Sequence, residues 1–180
     1  MRLTEEQALL VVIDIQGNLA RAMDDKEALF ANAARMIAGA QVFGLPVVVT
    51  EQTPEKLGTT IPELAPLLRG IAPIRKEGFS CCAVPAFLDA LADAGRRQIL
   101  LSGIEGHICV YQTAMDLIEA GYEVHVVADA VPSRTARNRR LALERLAREG
   151  ATITSTETVL FELLKTAADP RFKAIFRLVK

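Results

Sequence analysis

Three side chains of this 180-residue sequence are of types that together cleave carbonyl compounds. Asp14 follows the apolar run ALLVVI, Lys76 follows IAPIR, and Cys109 stands where the helical pattern VYQTAMDLIEAG begins. A free thiol has a pKa of about 8.5, so it is mostly protonated at neutral pH and needs help to attack. A helix start near Cys109 offers unpaired N–H groups and a dipole that favours a thiolate. Lys76 would lower the thiol pKa, and Asp14 could accept the proton. The same N–H groups could hold an oxyanion, and losing one such donor lowers a rate about a hundred- to a thousandfold. Each residue also has an ordinary reading. Asp14 could cap a turn, Lys76 could be a solvated surface lysine, and Cys109 could be a small buried hydrophobe.

What favours the chemical reading is where the surrounding elements put the three. Leu9–Ile13, Pro46–Thr50, Ile71–Arg75, Gln98–Ser102 and Tyr122–Val127 read as buried strands, with Ala151–Thr154 a weaker sixth. Helical patterns lie between them: 27–44 with Leu29, Ala33, Met36, Ile37 and Ala40 apolar, 84–95, 110–121, and 133–150 with Ser133 as N-cap. The segment from Thr156 onward also reads as helical. Continuous apolar strands alternating with helices predict a three-layer α/β/α sandwich on a central, mainly parallel six-stranded sheet. Ligands of such sheets bind outside the carboxyl ends of the strands. There the sequence delivers Asp14 and Gln16 from the first strand, Glu51 and Gln52 from the second, and Lys76, Phe79 and Ser80 from the third. The fourth leads through Gly103 to Cys109, and the fifth leads to Asp129. The stretch 52–66, punctuated by Pro and Gly, reads as a loop able to border a site.

Length and composition fit one soluble domain spanning 1–180, half of it hydrophobic (51%) and a quarter charged (24%). A net charge of −1 argues against a nucleic-acid surface or a polybasic membrane patch. The six arginines between Arg134 and Arg148 are interspersed with Glu144 and Glu149 and no aromatic, which reads as a solvated face or a subunit contact. The run ALLVVI is far too short to cross a bilayer, and no signal-peptide pattern is visible. Three cysteines, two of them adjacent, make no disulfide framework and point to a reducing cytoplasm.

The runs VVIDIQ, RKEGFS, TEQTPEKLGTTIPEL and SGIEGHICVYQTAMDLIEAGYEV resemble the isochorismatase-like cysteine hydrolases, most closely the isochorismatase domain-containing subgroup, over about Leu9 to Leu164. The resemblance implies a Rossmann-like three-layer fold, a homo-oligomer (dimer, tetramer or larger), a small-molecule substrate and no cofactor. It implies a triad of Asp14, Lys76 and Cys109. It also implies a non-proline cis peptide between Ile104 and Glu105 that turns the Glu105 and Cys109 N–H groups toward the substrate oxygen. Gln16, Gln52, Phe79, Ile104, Gly106 and His107 are then candidate pocket residues.

Family nicotinamidases carry an Asp-x-His metal segment after the second strand. Here that region, TEQTPEKLG, has no histidine, and His107 and His125 are not at metal-ligand spacing, so no metal is expected. Many family amidases place Thr where this chain has Gly106. Glu105 is an acid beside the nucleophile that either pairs with an arginine or a neighbouring subunit, or faces substrate. The leading expectation is a cysteine hydrolase that cleaves a small amide-type C–N bond through a thioester. The alternatives are an oligomeric interaction protein with weak catalysis and a redox-sensitive thiol protein.

Overall fold

The computed structural model describes residues 2–180. Among them, six strands form one sheet: Ala8–Ile13 (β1), Val47–Gln52 (β2), Ile74–Lys76 (β3), Gln98–Gly103 (β4), Glu123–Val127 (β5) and Thr152–Thr154 (β6). Its order is β3-β2-β1-β4-β5-β6 and every neighbouring pair is parallel. Eight helices accompany it: Gly17–Arg21 (α1), Lys26–Phe43 (α2), Pro54–Leu57 (α3), Pro85–Ala94 (α4), Tyr111–Glu119 (α5), Ala136–Arg148 (α6), Thr156–Leu164 (α7) and Phe172–Val179 (α8). This is the expected three-layer α/β architecture. None of these helices is long and apolar enough to cross a membrane.

The chain winds outward from β1 through β2 to β3, then returns to β4 and winds outward the other way. The order therefore reverses between β1 and β4, and a crevice opens at the carboxyl ends of strands at such a point. Asp14 follows β1, and the turn bearing Cys109 follows β4.

Two cores fill the faces. Leu10 and Val12 pack with Leu29, Met36 and Ile37 of α2, Leu160 and Leu163 of α7, and Ile175 of α8. Leu9, Val11 and Ile13 pack with Phe87 and Leu91 of α4, Val110, Ala114 and Leu117 at α5, and Leu146 of α6. Fully burying a side chain of this size contributes about 1.5–3 kcal/mol. Every residue of β1 and β4 is buried, as expected for central parallel strands.

Three local expectations are corrected. The third strand spans Ile74–Lys76 rather than Ile71–Arg75, because the Ile71 N–H closes a turn onto Leu68 O and Pro73 has no N–H to give a ladder. The stretch 52–66 is not all loop. Gln52 ends β2, and Pro54 opens the short helix α3. The N-cap of α6 is Thr135 rather than Ser133: the Thr135 side chain accepts from the Asn138 N–H, while Ser133 is fully buried against His107.

Candidate active site

At the end of β1 the backbone turns left-handed at Asp14 (φ 52°). Strict alternation would leave Ile13 and Ile15 on one face, yet Ile13 packs in one core and Ile15 in the other. The left-handed residue between them makes that switch, and aspartate tolerates the conformation better than most residues. The Asp14 carboxyl is buried, 1% exposed. Its Oδ1 accepts from Thr50 Oγ1 at 2.8 Å, and its Oδ2 lies 2.6 Å from Lys76 Nζ. That contact is a buried ion pair, and the Cys109 thiol is the other donor that bears on the carboxyl.

Lys76 is as deeply buried as Asp14. Its ammonium faces Phe79 O at 3.0 Å, Gly78 O at 3.1 Å and Gln52 Oε1 at 3.3 Å as well as Asp14, four acceptors for three N–H bonds. The loop that supplies the two carbonyls is pinned to α5: Ser80 Oγ donates to Asp116 Oδ2, and the Cys81 N–H donates to Thr113 Oγ1.

Gly103 brings β4 hard against β1. Its φ is 134°, and a Cβ there would collide with the carbonyl of Ile13. The Ile104–Glu105 peptide that follows is cis. One turn of π-helix, Gly106–Val110, then leads into α5 and carries Cys109. Such turns recur at functional sites. The Glu105 N–H finds no acceptor among the described residues.

Cys109 is 6% exposed, and its thiol donates to Gln52 Oε1 at 3.4 Å. Burial, with the charge of Asp14 second, pushes the thiol up to about 12. Lys76 acts in the expected direction, but burial outweighs it, so the expectation of a thiol pKa lowered by Lys76 is corrected. Burial also raises Asp14 above the usual carboxylate range, against the opposing pull of Lys76 and the hydrogen bonds to it. The resting pair is therefore a protonated thiol beside an unusually basic carboxylate. The structure thus brings Asp14, Lys76 and Cys109 to one buried cluster.

The remaining sequence candidates are placed as follows. Gln52 enters the cluster. Gln16 is fully buried and clamps the loop after β2, donating to Gln52 O and Gly58 O and accepting from the Gln52 N–H. Glu51 anchors the same loop through Thr60. The Phe79 ring is 52% exposed, and its carbonyl is what Lys76 uses. Ile104 lies in the core on the α2 side. Gly106 is pressed against the 131–133 segment, where an added Cβ would meet Val131 Cγ1 at 3.1 Å and Pro132 O at 3.2 Å. His107 is taken up by Ser133 at Nδ1 (2.9 Å) and Asn138 at Nε2 (3.3 Å). Glu105 receives Arg134 Nε at both oxygens and the Arg134 N–H at Oε2, which chooses arginine pairing within the chain. Asp129 holds the start of α7 through Thr156.

Ser133 and Arg134, which fix this turn, were not among the sequence candidates. A partner 29 residues away leaves no spacing signal. A surface cleft lined by Thr53, Arg75, Lys76 and Pro85 lies beside the cluster, whose Lys76 side chain is closed to solvent. Among the described residues no three of His, Cys, Asp and Glu are gathered to hold a metal ion.

Residues 8–158 match the isochorismatase domain family. The chain is 44% identical over 147 residues to isochorismatase domain-containing protein 1 of Danio rerio, covering 81% of this chain and 51% of that relative, so it spans about half of that protein's length. It is 38% identical to the secreted isochorismatase effector Isc1 of Phytophthora sojae, covering 99% of this chain and 87% of that one. Among solved structures, the MAR1 ribonuclease of Caenorhabditis elegans superposes with a TM-score of 0.94 at 34% identity, covering 99% of this chain and 92% of that chain.

Proposed function

This chain belongs to the isochorismatase family, and from that premise we propose that it is a cysteine hydrolase cleaving a small amide-type C–N bond through a thioester. The observation that carries the reading is the burial of Asp14, Lys76 and Cys109 together at the crevice between β1 and β4.

The steps follow from the ionisation of the pair. The thiol is protonated at rest, so its proton passes to the basic Asp14 as sulfur attacks the carbonyl carbon, and no free thiolate need accumulate. Lys76 balances the negative charge that moves between sulfur and carboxylate. The tetrahedral oxyanion rests on the N–H groups of Glu105 and Cys109. Collapse expels the amine, which takes the proton from Asp14, and leaves a thioester on Cys109. Water then gives a proton to Asp14 as it adds to the thioester. The acid departs, and sulfur recovers the proton.

The reading takes no metal and no cofactor. Three free cysteines suit a reducing compartment, and we place the protein in the cytoplasm on that ground. A homo-oligomer is part of the reading, and the Phe79 ring, 52% exposed, stays a candidate for the pocket. The Caenorhabditis relative named a ribonuclease suggests RNA as another substrate. A thiol that must attack suits a carbonyl carbon better than a phosphodiester, so small amides come first.

Intact mass after incubation with a panel of small amides, with RNA as a parallel arm, tests the reading. An acyl adduct on the wild type that disappears in Cys109→Ala, together with loss of turnover, is expected. RNA cleavage that survives Cys109→Ala, with no adduct from any amide, would overturn it.

A further inference from the structure

Gln52 ends β2 with its backbone fixed on both sides by the Gln16 amide. Its side-chain orientation is fixed too. Nε2 donates to Glu77 O at 3.3 Å, and a carbonyl can only accept. Oε1 faces the Lys76 ammonium, which can only donate. The amide is thus held with its oxygen at the reacting end, 3.4 Å from Cys109 Sγ. One oxygen accepts from both the thiol and the lysine.

We propose that Gln52 is a positioning residue that holds the Cys109 sulfur as an uncharged thiol and keeps part of the Lys76 ammonium turned away from it. A hydrogen bond that an S–H donates favours the neutral form, and the carbonyl dipole points its negative end at any thiolate formed there. Gln52 therefore holds back ionisation until a substrate takes the sulfur's place on Oε1 or the sulfur turns to the carbonyl carbon. This adds to the burial and the Asp14 charge that already keep the thiol protonated beside a cation.

The other groups that bear on the sulfur are Asp14 from β1, Lys76 from β3 and Cys81 from the segment after β3. Glu105 and His107, on the same turn, are occupied by Arg134 and Ser133. On α5, Asp116 is taken by Ser80, and the Tyr111 ring lies under Arg145. Asp14 is thus the charged acceptor within the thiol's reach, and Gln52 is the neutral one.

The use of this device in turnover rests on the hydrolase reading, but its test reads the thiol alone and stands if that reading fails. Infrared spectra of the folded protein locate the Cys109 S–H stretch as the band lost in Cys109→Ala. In Gln52→Met, of similar length but without the carbonyl, the band is expected to leave its wild-type position, because the thiol loses Oε1 and keeps only Asp14 as acceptor. Alkylation of Cys109 by iodoacetamide at pH 8, resolved from Cys81 and Cys82 by peptide mapping, is expected to become about tenfold faster, one pKa unit. A band that stays in place overturns the proposal, even if alkylation accelerates, because faster reaction alone reports an unblocked approach. A band that moves with no gain in rate overturns it as well. Gln52→Leu serves the same comparison should the methionine variant fail to fold.

Discussion

Two polar clusters lie on either side of the turn between Glu105 and Cys109, and they handle burial in opposite ways. In the Asp14–Lys76–Cys109 cluster one amine faces four acceptors, the Asp14 carboxyl is shared by Lys76, Thr50 and the thiol, and burial raises both the carboxyl and the thiol. In the Glu105–Arg134–His107 cluster each side-chain oxygen of Glu105 and each ring nitrogen of His107 has a partner. The first arrangement leaves protons poised to move. The second leaves neither Glu105 side-chain oxygen nor His107 ring nitrogen unpartnered, and it fixes the backbone beside the proposed nucleophile. A buried polar group without full satisfaction is expensive, so its persistence supports the proposal that the chemistry lies on that side of the turn.

The largest effect should come from Asp14→Asn. The amide keeps the shape but accepts no proton, so turnover on a reactive amide should fall about a hundred- to ten-thousandfold. Lys76 would then be buried without its counter-charge, and breaking such a pair destabilises by about 3–5 kcal/mol, so melting must be followed alongside activity. A folded Asp14→Asn protein within tenfold of wild type would erase the distinction between the clusters.

The pH profile probes the same cluster more gently. Asp14 must be ionised to accept the proton, and its pKa is raised, so activity should be lost as pH falls through a midpoint above the ordinary carboxylate range of about 3.9. With the thiol pushed up to about 12, no second inflection from Cys109 should appear between pH 7 and 10. An acid limb at the ordinary carboxylate value, or a thiol inflection near 8, would show that burial does not govern the pair.

The same contrast explains what could be read from the sequence. Asp14, Lys76 and Cys109 were legible because a parallel sheet places whatever follows its strands at one edge, and apolar runs mark the strand ends within a residue or two. The direction of the Cys109 shift was not legible, because residue type announces the cation but not the depth of burial that outweighs it. The partners of the turn were hidden for another reason. Glu105 meets Arg134 and His107 meets Ser133 through tertiary packing of the α6 approach, and Ser133 read as a helix cap because its type suits one. Gln16 and Gln52 looked alike at the strand ends. Only the loop geometry assigns one to clamping the chain and the other to the sulfur.

Arg134→Gln tests the satisfied cluster, and its effect should be the smallest. The Arg134 side chain is 57% exposed, so the charge pairing itself contributes little. Glu105 would keep the Arg134 N–H but lose its side-chain donor, and a buried acceptor left short typically costs about 1–3 kcal/mol. A lower melting temperature is therefore expected, with turnover reduced less than tenfold and Cys109 alkylation unchanged at every pH. These outcomes follow because Arg134 reaches the proposed nucleophile, Cys109, only through the backbone it steadies. A hundredfold loss of turnover without destabilisation would instead move Glu105 and Arg134 to the reacting side of the turn.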